Sequence, residues 1–174
     1  MIYNVSDDKR RLSNEIVKAG LTEKFYKVEL SESFSSLSMS ILDGGIPIGS
    51  SGLYVIYAND ECLYVGESMW CANQRVRRFF KELASCAHPQ EKHAGAKRAK
   101  NSGYTIYNHT YRVKFISWQE IFKMQEIHCE GSLDPLLTYE LDEVVAHHLK
   151  SKFNSSTYPL YGYEGATLAA FLGV

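Results

Sequence analysis

At 174 residues, with 45% hydrophobic and 22% charged residues, the chain has the length of one globular domain and can bury its own core without disulfides or metals. A net charge of -1 excludes a uniformly basic nucleic-acid binder, and no run of about eighteen apolar residues is present to cross a membrane. The start, Met1 to Asp8, has neither the basic opening nor the apolar centre of a secretory signal, so a cytoplasmic protein without a membrane partner is expected.

The charge is unevenly spread. Between Cys71 and Lys100 lie eight cations, Arg75, Arg77, Arg78, Lys81, Lys92, Lys97, Arg98 and Lys100, against two anions, Glu82 and Glu91. The remainder is therefore acidic, and this one stretch is suited to meeting phosphates. Cys62, Cys71, Cys86 and Cys129 are scattered without a Cys-x-x-Cys pair, which predicts free thiols in a reducing compartment.

In chain order, Ser6 to Gly20 reads as a helix, with Ser6 as cap, Asp7 and Asp8 at its positive end and Gly20 as terminator. Phe25 to Leu42 alternates loosely and suggests strand pieces. The turn cluster Asp43-Gly44-Gly45-Ile46-Pro47 marks the boundary between an N-terminal extension, residues 1–50, and a following module, residues 51–154. Tyr54 to Tyr57 and Cys62 to Val65 form a hairpin about Asn59-Asp60. A three-residue loop, Asn59-Asp60-Glu61, would place Tyr64 opposite Ile56 and on the face of Tyr54, whereas a two-residue loop would put the tyrosines on opposite faces. The three-residue loop is the expectation.

A helix beginning near Ser68 or Asn73 and ending at Leu83 should bury Val76, Phe79, Phe80 and Leu83, with Arg75 and Arg78 beside that stripe. Ser85 to Gly103 is expected to be loop with a helical turn or two. Tyr111 to Ser117 reads as a strand, and Ser117-Trp118-Gln119-Glu120 as a capping box opening a helix toward Cys129. Asp134-Pro135 starts a last helix whose buried face is Leu137, Leu141, Val144, Val145 and His148. Residues 155–174 form a tail whose apolar end, Gly165 to Leu172, is suited to docking on the core or on a second subunit.

Gly52-Leu53-Tyr54, then Tyr64-Val65-Gly66 across a hairpin, then Arg75, and finally Glu140 on a later helix occur in the order of the GIY-YIG nucleases, which this chain resembles over roughly residues 51–154. The resemblance implies an α+β fold with a small, mainly antiparallel three-stranded sheet flanked by helices. It implies a metal-dependent endonuclease hydrolysing DNA phosphodiester bonds, in which Tyr54 positions or deprotonates water, Tyr64 supports it, Arg75 contacts the scissile phosphate and Glu140 holds one Mg²⁺ or Mn²⁺ per active site. Arg77, Arg78, Lys81, Lys92, Lys97, Arg98 and Lys100 would meet the DNA backbone. Compact restriction enzymes of this kind cut both strands as homodimers.

Two positions depart from the pattern. Glu67 follows Gly66 where a non-acidic residue is usual, and Phe79 stands where a His or Tyr often helps the chemistry; His93, in His93-Ala94-Gly95-Ala96, is the candidate to take that part. Each assignment has a plainer competitor. Twelve tyrosines make a hairpin Tyr an ordinary packing residue, Arg75 fits the solvated side of a helix, and Glu143 competes with Glu140 for the metal. Cys86, His88 and His93 lie close together but lack a zinc-site spacing. A repair or branched-DNA endonuclease, a catalytically silent nucleic-acid-binding relative and a protein-interaction module are the alternatives to restriction.

Overall fold

The computed structural model describes residues 7–20, 25–33, 36–41, 46, 49–85, 87–128 and 141–154. Among these, β3 (Gly52–Ala58), β4 (Glu61–Ser68) and β5 (Tyr111–Ser117) form the expected antiparallel three-stranded sheet, with β3 in the middle. The extension adds to it. A hairpin of β1 (Phe25–Ser33) and β2 (Ser36–Ile41) joins through Phe25, Tyr26 and Lys27 on β5, giving the strand order β2-β1-β5-β3-β4. The fold is α+β, and no helix among the described residues is long and apolar enough to cross a membrane.

Period-two alternation on β3 divides the core. Tyr54, Ile56 and Ala58 enter one cluster, with Val76, Phe79 and Phe80 of α2 (Ala72–Leu83) and Ala96 and Ala99 of α3 (Ala94–Asn101). Leu53 and Val55 enter a second, with Leu12 of α1 (Asp7–Glu15), Ile121 of α4 (Trp118–His128) and Leu141 and Val145 of α5 (Leu141–His148). Helix α1 runs on through Ile16–Gly20 as a wider π-type turn, and Ile16 joins the second cluster. Ser6, the expected cap, lies outside the described residues.

The hairpin loop differs from expectation. Ala58 pairs with Glu61 around a two-residue turn, Asn59-Asp60, in which Asn59 takes a left-handed φ of 52° that Asn tolerates. A two-residue turn alone would separate the tyrosines. The register shifts between Ile56 and Tyr57, however, so Tyr57 pairs with Cys62 and Ile56 with Tyr64, leaving Leu63 as an extra residue in β4. This β-bulge returns Tyr64 to the face of Tyr54.

Helix α2 buries the predicted stripe together with Ala72. Helix α3 occupies a stretch read as loop; its residues lack large apolar side chains, and its cap is His93, whose Nδ1 accepts the Ala96 N–H at 3.3 Å. The capping box before α4 forms as written. Glu120 Oε2 accepts from Ser117 N–H at 2.9 Å, and Ser117 Oγ accepts from Glu120 N–H at 3.2 Å. On α5, Leu141, Val144 and Val145 are buried as expected, but His148 is exposed and Ala146 is buried. The helix stops at His148 and the chain turns at Lys150, φ 53°, back toward β4, which leaves His148 at the end of the helix. Asp134, Pro135, Leu137 and residues 155–174 lie outside the described residues, as do Cys86 and Cys129; Cys62 and Cys71 are free thiols.

Strand β4 is an edge, and an edge exposes unpaired backbone groups. Residues 151–154 satisfy them. Phe153 N–H donates to Leu63 O at 2.8 Å, while Asn154 accepts the Val65 N–H at 2.8 Å and donates to Val65 O at 2.7 Å. Arg98 of α3 fastens the cover by donating twice to Phe153 O, at 3.0 and 2.6 Å. Asn154→Ala leaves both Val65 groups without these partners, so a loss of about 1–3 kcal/mol is expected. A urea midpoint shifted down at unchanged slope is the measurement that checks it.

Candidate active site

The Tyr54 side chain is wholly buried, with its hydroxyl 3.4 Å from His93 Nε2. Because His93 Nδ1 already accepts the Ala96 N–H, the neutral ring carries its proton on Nε2 and donates it to the tyrosine oxygen. Burial, then the positive charges of Arg75 and Arg98, push the His93 pKa down to about 4, so the ring is neutral at physiological pH. The Arg75 guanidinium interacts with the same Tyr54 hydroxyl by charge and hydrogen bonding. Burial raises the Tyr54 pKa far above its usual value, Tyr64 raises it further, and Arg75 opposes both.

Tyr64 stands beside this group, its ring centroid 6.2 Å from that of Tyr54 and 4.9 Å, edge-on, from that of His93. It is half-buried, and so the more exposed residue of the pair. Burial first, and Asp142 second, push its pKa up to about 12, with Arg75 opposing. Phe79 closes the cluster from α2, 5.8 Å from Tyr64 and 5.2 Å from His93 between ring centroids. Phe79 thus fills the position where the resemblance led to an expected His or Tyr, and the His93 ring comes in at the start of α3.

Two glycines make this packing possible. A Cβ on Gly66 would lie 2.5 Å from the Tyr54 hydroxyl oxygen and 2.7 Å from Tyr64 Cε1, and one on Gly95 would lie 2.4 Å from Tyr64 Cδ2. Any larger residue at either position must displace a tyrosine ring.

The carboxylates approach around the sheet edge. Tyr54 and Tyr64 belong to one face and the buried residues of α5 to the other, but among the described residues no strand lies beyond β4 to separate them. Asp142, in the first turn of α5, acts electrostatically on Tyr54, Tyr64 and Glu67, and Glu143 acts on Tyr64. Burial, and then the charge of Asp142, raise the Glu67 pKa from 4.5 to about 7, while Arg75 pulls it down. A carboxyl whose proton affinity is raised by burial and by a second carboxylate, beside an arginine, is a hard-oxygen group that a divalent cation would relieve. No three His, Cys, Asp or Glu side chains among the described residues form a metal cage. Mg²⁺ does not need one, since it uses one or two carboxylates and completes its shell with water and phosphate oxygen. The residues fit the ion.

Of the residues named from sequence, Tyr54, Tyr64, Arg75 and His93 come together, whereas Glu140 lies outside the described residues. Arg77, Lys92 and Lys97 are exposed, Arg78, Lys81 and Lys100 are half-buried, and Arg98 is committed to Phe153. Asp142 escaped the sequence reading because Glu140 and Glu143 flank it in the same short acidic run. Asn154 escaped because an Asn beyond a helix carries no distinctive pattern. No protein-family model, curated protein or solved structure matches the chain.

A raised carboxyl pKa has a definite sign for stability. The fold holds the Glu67 proton to higher pH than the unfolded chain does, so ionising it between pH 4.5 and about 7 destabilises the protein. In metal-free buffer, Glu67→Gln is expected to melt above wild type at pH 8, with the difference gone below pH 4.5. Thermal melts across that range check this.

Proposed function

We propose that the protein is a divalent-metal-dependent endonuclease that hydrolyses DNA phosphodiester bonds. The observation that carries the reading is that two phenols, an arginine and a pair of carboxyls, far apart in sequence, meet at the end of one edge strand. Phosphodiester hydrolysis needs a positioned water, neutralisation of charge growing on the phosphate, and a place for the water's proton. Each need has a residue to meet it.

Arg75, exposed at its tip, grips a non-bridging phosphate oxygen in the planar two-bond manner that Lys cannot reproduce. Tyr54 holds that guanidinium from behind through its hydroxyl, and His93 in turn bonds the Tyr54 hydroxyl. This exchanges the parts that the resemblance gives the tyrosines: Tyr64, the more exposed residue of the pair, orients the water and passes its proton toward solvent as the new oxygen–phosphorus bond forms and the ester bond opposite breaks. Glu67 and Asp142 would hold the cation, with Glu140 as the further ligand the resemblance assigns; bound there, Mg²⁺ would neutralise phosphate charge and acidify water. Arg77, Lys92 and Lys97 extend the positive surface along the DNA backbone.

The full burial of Tyr54 and His93 favours one rival, a silent relative that binds DNA without cutting it. Incubation with plasmid and Mg²⁺ separates the two. Metal-dependent nicking or linearisation is expected, abolished by chelation, with Arg75→Ala about 10²–10³-fold slower and Tyr64→Phe about 10²–10⁴-fold slower. Arg75→Lys is not expected to restore the rate. Salt-sensitive retention of DNA with no product in any metal would establish the silent binder instead.

A further inference from the structure

Met69 and Trp70 are 62% and 87% exposed, the latter the most open large apolar side chain among the described residues. They form the tip of the connection between β4 and α2, three residues past Glu67 and five before Arg75. The tip is braced. Ser68 Oγ accepts the Cys71 N–H at 2.9 Å and the Trp70 N–H at 3.4 Å. Ser68 O accepts the buried Trp118 indole N–H at 3.2 Å, and Ala72 N–H donates to Ser50 O at 2.8 Å. An indole is thus held out in water on backbone that costs little to order when something docks on it.

A protein partner would call for an apolar patch with charge depleted at its centre, but the tip leads directly into the first turn of α2, which carries the exposed Arg75. An exposed aromatic ring close to an arginine is instead the arrangement that takes a nucleobase on the ring and a neighbouring phosphate on the cation. Inside an intact duplex every base has both faces stacked on its neighbours. Only an unpaired, flipped or strand-end base can cover an indole.

We propose that Trp70 is a stacking platform for an unstacked base next to the scissile phosphate, so that the site takes DNA with a single-stranded, flapped or branched element in preference to plain duplex. The proposal relies on the nuclease reading for the partner's identity and gives that reading a substrate class. It favours a structure-directed role for the enzyme over recognition of duplex sequence alone.

The chain has two tryptophans and Trp118 is 5% exposed, so emission changes can be assigned to Trp70 by comparison with Trp70→Phe. Binding is measured in EDTA by anisotropy of a fluorescein-labelled single strand and of the same strand annealed to its complement, alongside tryptophan emission with unlabelled DNA. Wild type is expected to bind the single strand with quenching, and Trp70→Phe to bind it nearly as well without that quenching. Trp70→Ala should bind it about tenfold more weakly, with little change for the duplex. Unchanged single-strand affinity in Trp70→Ala, or binding without quenching, overturns the platform and leaves the nuclease reading standing. A change in sedimentation coefficient between wild type and Trp70→Ala also overturns it, by assigning the tip to self-association. No binding of either DNA form removes the platform and the nuclease reading together.

Discussion

Tyr64 shares a face with Tyr54 because one residue too many is folded into β4 at Leu63, and the rest of the site follows from that bulge. Without it, the two-residue turn at Asn59-Asp60 would send the second phenol to the side of α1, α4 and α5. With it, Leu63 and Tyr64 both pack toward α2 and α3. The extra residue leaves ladder groups to be satisfied, and it falls on an edge strand where residues 151–154 supply partners to Leu63 and Val65. The Asn154 bonds that stabilise the edge therefore also fix the register on which the tyrosine pair depends.

Packing and charge divide the work at this edge. Gly66 and Gly95 remove the atoms that would part the rings, letting Tyr54, Tyr64, Phe79 and His93 close into one aromatic block. That block buries the Tyr54 hydroxyl, which in turn bonds Arg75. On the other side, burial and the charge of Asp142 raise the proton affinity of the Glu67 carboxyl, so its ionised form is disfavoured in the fold. Such frustration is stored where a cation and a phosphate would bring compensating charge, which is how functional sites commonly differ from the core around them.

Periodicity made much of the frame legible. Val76, Phe79, Phe80 and Leu83 recur at helical spacing and are buried, Ser117 and Glu120 announce α4, and Tyr111 to Ser117 is a strand to the residue. What escaped lacks a local signal. Helix α3 is built of small and basic residues under a histidine cap, so neither an apolar stripe nor a Ser or Asp marked it. The bulge depends on which face Tyr64 prefers to bury and on the cover from residues 151–154, neither of which is local to the hairpin. Tyr54, Tyr64, Arg75 and His93 were visible as a set only through their order along the chain, whereas Asp142 and Trp70 gain meaning from where α5 begins and how Ser68 braces its turn.

The central claim is that the phenols of Tyr54 and Tyr64 border a single place where a divalent ion and a phosphate meet. With tyrosine ring carbons labelled, Mn²⁺ added together with a short uncleavable phosphorothioate oligonucleotide should broaden the resonances of Tyr54 and Tyr64 first, and leave Tyr57, Tyr104 and Tyr111 sharp. Selective broadening of any other tyrosine, or uniform loss across all twelve, would contradict the account.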